Sequence, residues 1–246
     1  MSRIANEARS NLPSDIRQLS GRAFYSPAST LFSDSPIYFL GMYPGYVRGD
    51  PQPHNNWTIE QDLERLESGR IFEHAYLEEK WGKDDPGHGK LQKRALHLFG
   101  VITGADSAGR ELLLKTPASN MILVRNSQNN EALLRSSKTL VEHCWHFHQA
   151  VIDVKKPKVI LVHGVRFAKE LAQVRRLGNC SCWPSGFGAQ PHLYSWKLEK
   201  NRTLLAIPNL GRYDPQGPRE EALRKFFREA VPQGFNGQLW DGNCSI

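Results

Sequence analysis

The feature that most constrains this fold is the stretch Ile37-Tyr-Phe-Leu-Gly-Met-Tyr-Pro-Gly-Tyr-Val-Arg-Gly-Asp50. It opens as a continuous apolar run, the pattern of a strand buried on both faces. It then breaks at Gly41, Pro44, Gly45 and Gly49. In open α/β sheets ligands bind beyond the carboxyl ends of the strands, and glycine there lets a ligand approach the main chain. The stretch therefore reads either as a ligand-binding loop or as a plain tight turn, and its neighbours have to decide between them.

Those neighbours alternate in type. A short helix is predicted over 15–22, a capped helix beginning at Thr58 with Ile59, Leu63 and Leu66 inward, and a second helix over 71–82 ended by Asp84-Asp-Pro-Gly-His-Gly. From Lys90 a further helix turns Leu91, Leu96 and Phe99 inward and Lys90, Lys93 and Arg94 outward. Strands are predicted over 119–125, 158–164 and 203–207, a long helix over 131–154, and shorter helices over 166–171 and 220–230. Residues 178–192, rich in Gly, Cys and Pro, resist assignment. The alternation predicts a three-layer α/β/α domain around a central, mostly parallel four-stranded sheet. Its expected extent is 36–232, with a helical insertion at about 55–85, a lead-in over 1–35 and a tail over 233–246.

Charge and cysteine usage narrow the partners. With 32 Lys plus Arg against 25 Asp plus Glu, the chain carries +7, which favours a polyanion such as DNA. Cys144, Cys180, Cys182 and Cys244 are scattered without a CxxC pair, as suits a reducing compartment. The N-terminus has no apolar signal core and no run reaches membrane-spanning length, so a soluble, cytoplasmic protein without membrane attachment is expected; a monomer without a cofactor is the accompanying expectation.

Several chemical motifs fail on spacing. His143, His146 and His148 do not share one helix face, so no metal site is expected. Gly87-His-Gly-Lys-Leu lacks the spacing and terminal hydroxyl of a phosphate-binding loop. Ser107 reads as a turn serine, and Cys180 and Cys182 have no assignable cationic partner.

The order of elements resembles the uracil-DNA glycosylase superfamily over about 36–230. Gly41-Met-Tyr-Pro-Gly45 is similar to its first loop, Ser119-Asn-Met-Ile-Leu-Val-Arg-Asn126 to the strand bearing its base-reading Asn, Lys155-Lys-Pro-Lys-Val-Ile-Leu-Val-His-Gly164 to its third strand, and Ile207-Pro-Asn-Leu-Gly-Arg212 to its second loop. The resemblance implies an enzyme that flips a nucleotide out of the stack and hydrolyses its glycosidic bond. On that basis Gly41, Met42, Pro44, Gly45 and Tyr46 would form the pocket floor, with Asn120 and Asn209 binding the base. Leu210 would be a wedge into the vacated stack, with Arg212, Tyr213, Lys90 and Arg125 on the DNA.

Departures from the family pattern alter the expected chemistry. Tyr43 stands where a water-positioning Asn, Asp or Glu is usual, and Ile207 where His is usual. A phenol with an ordinary pKa of about 10 is a poor base near neutrality. Asp50, farther along the first loop, is the first choice for positioning water, ahead of Asp214; a turn-capping role for Asp50 is the alternative. Cys144 falls near a ligand position of an iron-sulphur branch, but the N-terminal cysteine pair is missing, so no cluster is expected. Two functions remain: a DNA glycosylase for a non-standard, bulky modified pyrimidine, in repair or antiviral defence, or a non-catalytic relative that binds DNA or a modified nucleotide.

Overall fold

The structure, a computed structural model, describes residues 1–45, 57–126, 137–186 and 192–235. Its centre is a six-stranded sheet made of β1 (Ile37–Gly41), β2 (Ala118–Asn120), β3 (Val159–His163), β4 (Ser181–Pro184), β5 (His192–Lys197) and β6 (Thr203–Ile207), in the order β2-β1-β3-β6-β5-β4. The first four in that order are parallel, as expected. The expected four-stranded sheet is corrected to six by an antiparallel pair, β4 and β5, added beyond β6. β4 forms an edge with mostly exposed residues, so it lacks the apolar run that marks the central strands.

Each central strand is buried on both faces. Tyr38, Leu40, Ile160, Val162, Leu204 and Ala206 join one core, and Ile37, Phe39, Val159, Leu161, Leu205 and Ile207 join the other. Helices α1 (Ser2–Asn11), α3 (Ile59–Glu67), α6 (Ser137–Lys155) and α7 (Val165–Val174) contribute to the first core. Helices α4 (Lys90–Thr103), α5 (Asp106–Lys115) and α8 (Pro218–Ala230) contribute to the second. The result is three layers. The N-terminal segment belongs to the packing, because Ile4, Ala5 and Ala8 of α1 are buried in the first core.

The sequence-predicted elements differ from the structure in a few places. The helix expected over 15–22 is only α2 (Ser14–Arg17), since Ser20 and Gly21 form bridges to Thr58 and Val124. Thr58 does cap α3, its hydroxyl accepting from Gln61 N–H at 3.2 Å while Gln61 returns a bond to Thr58 N–H at 3.0 Å. Residues 71–82 form turns instead of a helix. Their backbone partners come from elsewhere: Ala75 N–H donates to Tyr25 O at 2.8 Å, and Gln92 Nε2 donates to Ala75 O and Glu79 O. Ser107 is no turn serine, but sits in the first turn of α5. The strand expected over 119–125 pairs as a ladder only to Asn120, after which Met121 and Ile122 N–H still donate to Gly41 O and Met42 O at 2.9 Å.

Among the described residues no helix is long and apolar enough to cross a membrane, and no group of three or more His, Cys, Asp or Glu is placed to hold a metal ion. Cys144 is buried in the core, and burial pushes its thiol up to about 12.

Candidate functional site

The carboxyl ends of the parallel strands carry one lateral row of residues. Strand register pairs Asn120 with Gly41 and His163 with Ile207, and pairs Leu40 with Val162 one residue before Gly41 and His163. Because side chains alternate along a strand, Asn120, Gly41, His163 and Ile207 all face the same side as Phe39, Leu161 and Leu205. Above this row lies a cavity of about 290 Å³.

Gly41 is the gap in the row. A Cβ on it would overlap Asn120 Oδ1 and stand 3.1 Å from His163 Nε2. Only a residue without a side chain lets the Asn120 carboxamide and the His163 ring converge on one point. Asn120 is nearly buried, lines the cavity, and its carboxamide has no hydrogen-bond partner among the described residues. Beside it, Met42 packs where a Cβ on Gly164 would stand, which brings the start of α7 close under the first loop; Gly164 has φ +150°.

The wall is aromatic. Tyr25, Tyr76 and Trp81 line one side, with ring centroids 6.2 Å apart for Tyr25 and Tyr76 and 5.4 Å for Tyr76 and Trp81. Charge fixes these rings: Arg22 lies 4.2 Å over Tyr25 and pairs with Glu79 at 2.7 Å, and Glu79 accepts from Trp81 Nε1 at 2.8 Å. Tyr43 lines the cavity and packs edge-on against Phe167. Arg125 is buried there and donates to Gly45 O.

His163 is buried beneath this wall. Its Nε2 is 3.1 Å from Tyr76 Oη, and its Nδ1 has no hydrogen-bond partner. Burial pushes it down to about 4, with the neighbouring Asn209 side chain acting in the opposite direction. The imidazole is therefore neutral near pH 7, a hydrogen-bonding group and not a cation.

The structure brings together Met42, Tyr43, Gly45, Asn120, Arg125 and Asn209 around this one cavity, with Gly41 beside Asn120 in the strand row. Pro44 is buried outside it, its carbonyl accepting from Asn126 N–H at 3.1 Å. Lys90 and Arg212 are exposed and adjoin the lining residues Leu91 and Gly211 in sequence. Tyr46 and Asp50 lie outside the described residues.

Two expected DNA contacts are corrected. Leu210 is fully buried in the second core, and Tyr213 is buried there with its hydroxyl donating to Ser185 O at 2.8 Å. Leu210 forms no protruding wedge and Tyr213 no exposed contact, because burial in the second core claims both side chains. Arg94, expected to face outward, instead donates to the carbonyls of Leu210 at 2.8 Å and Gly211 at 3.1 Å and pairs with Asp214 at 3.2 Å. Asp214 thus serves the loop and does not line the cavity.

Sequence reasoning missed His163, Tyr76, Trp81 and Tyr25. His163 was recoverable from strand parity, since 159, 161 and 163 alternate with the opposite core. Tyr76 and Trp81 were hidden by the helix expected over their segment, and Tyr25 carries no local signal. Neither a protein-family model nor a curated protein matches this chain.

Proposed function

We propose that this protein is a DNA glycosylase that takes a flipped, non-standard pyrimidine into the cavity and hydrolyses its glycosidic bond, leaving an abasic site. The observation that carries the reading is the row of Asn120, Gly41 and His163 at the ends of parallel strands beneath an aromatic wall. A flipped base needs flat apolar surfaces for its faces and polar groups for its edge. Tyr25, Tyr76 and Trp81 supply the first, and the unpartnered Asn120 carboxamide supplies the second as both donor and acceptor.

Size supports a substituted base. A pyrimidine packed at interior density fills on the order of 100 Å³, whereas the cavity holds about 290 Å³. The remaining space suits a bulky substituent. Exposed Lys90 and Arg212 beside the opening, with a net charge of +7, suit a DNA backbone. Asp50 is the group proposed to position water.

A second reading is favoured by one observation: among the described residues no Asp or Glu lines the cavity. A non-catalytic protein that binds a flipped or modified nucleotide needs none. Abasic-site formation on DNAs containing uracil, mismatches or hypermodified cytosine and thymine separates the two. Cleavage of one class that is lost in Asp50→Asn, with DNA binding retained, supports the glycosylase. Salt-sensitive binding without abasic sites on any member supports the binding protein.

A further inference from the structure

We propose that Tyr76, oriented by His163, is the hydrogen-bond donor that selects which base edge the cavity accepts; this rests on the base-pocket reading above. Tyr76 enters from the turn-rich segment over 71–82 and is buried with its hydroxyl on His163 Nε2 at 3.1 Å. The two rings meet edge to face with centroids 6.4 Å apart, and Phe39 holds the His163 ring from beside it at 5.2 Å.

Proton placement follows from counting partners. A neutral imidazole has one N–H. Placed on Nδ1, that N–H would be buried without an acceptor, since Nδ1 has no partner. Placed on Nε2, it donates to Tyr76 Oη, whose own hydrogen is then turned to the cavity that Tyr76 lines, and on the buried ring only a lone pair is left unmet, a less costly orphan than an N–H. Tyr76 Oη is then an acceptor toward His163, and no described residue accepts its own hydrogen. That hydrogen is available to a ligand.

The consequence is a pattern. Asn120 offers a donor and an acceptor, and Tyr76, which lines the same cavity, adds a donor. A matching base presents a donor–acceptor pair followed by an acceptor. Uracil and cytosine do so through the carbonyl at C2, whereas adenine has a C–H there and guanine an amino group. With N1 bonded to the sugar and the edge from C4 to C2 engaged, C5 and C6 are the ring positions left open. The chemical class is thus a 2-oxo pyrimidine carrying its substituent at C5 or C6.

The test is equilibrium binding of free uracil, cytosine and pyrimidin-4-one, which lacks the C2 carbonyl, to the full chain and to Tyr76→Phe. The parent should prefer uracil over pyrimidin-4-one by roughly tenfold, the worth of one neutral hydrogen bond, and Tyr76→Phe should erase that preference. Persistence of the preference in Tyr76→Phe would overturn the assignment while leaving the base pocket intact. Absence of binding for every base would overturn the pocket reading itself. Independently of any variant, imidazole nitrogen shifts by NMR should report the Nε2–H tautomer for His163 at neutral pH; the Nδ1–H tautomer would contradict the proposal.

Discussion

The Asn120 carboxamide occupies the space that a side chain on Gly41 would fill, although the two residues lie on adjacent strands and 79 positions separate them in sequence. Gly41→Ala should therefore push Asn120 out of the row. Overpacking of this kind costs about 1–3 kcal/mol. Urea denaturation should show that loss, and uracil binding should weaken further than the stability change alone explains.

Asp62 anchors the cavity wall from behind. Its carboxylate, fully buried on α3, accepts from the N–H groups of Ala23 at 2.8 Å and Phe24 at 3.3 Å and from Arg65 at 3.1 Å, just before Tyr25. Asp62→Ala leaves buried donors unmet and should cost about 2–4 kcal/mol. Chemical denaturation measures the loss, and near-ultraviolet circular dichroism should report a disturbed aromatic wall.

These two positions show what the sequence does and does not reveal. The apolar runs at 37–41, 159–163 and 203–207 marked the parallel strands, because burial on both faces leaves a pattern that needs no context. Gly41 and Asn120 were legible as parts of a site through the family resemblance. The wall was not. Tyr76 and Trp81 sit on a segment whose backbone bonds go to Tyr25 and Gln92, so helical spacing there misleads. Leu210 looked like a wedge through the family resemblance, and only tertiary packing in the second core shows it buried.

Stability should fall with acid. His74, His148 and His163 are each pushed by burial down to about 4, below the unfolded value near 6.5. Between those values the unfolded chain binds more protons, so stability rises with pH. The contribution is complete above about pH 6.5 and is lost as pH falls through about 4. Urea midpoints measured from pH 7 down to about 4.5 should decrease steadily, while a flat profile would contradict neutral burial of these rings.

Arg94 ties the loop after β6 to α4. Arg94→Ala should destabilise the fold by about 1–3 kcal/mol through its lost bonds to Leu210 and Gly211. The neighbouring exposed Lys93→Ala should stay within about 0.5 kcal/mol of the parent. Thermal or chemical melts of the pair distinguish a structural arginine from a solvated basic face.

Lys90 and Arg212 should behave differently from Arg94. Removing either should leave stability nearly unchanged and lower the salt dependence of DNA affinity by a slope of about 1. Binding isotherms across a salt series provide the measurement.

The central claim is that a flipped base enters the cavity beneath the aromatic wall, whether or not it is then cleaved. Photo-crosslinking with DNA carrying a single 5-iodouracil at a mismatch tests it most directly, because the excited base attaches to the aromatic side chain it touches. Crosslinked peptides should contain Tyr25, Tyr76 or Trp81, and the yield should fall when Gly41→Ala displaces Asn120. Crosslinks confined to residues outside the cavity, or unchanged by Gly41→Ala, would contradict the account.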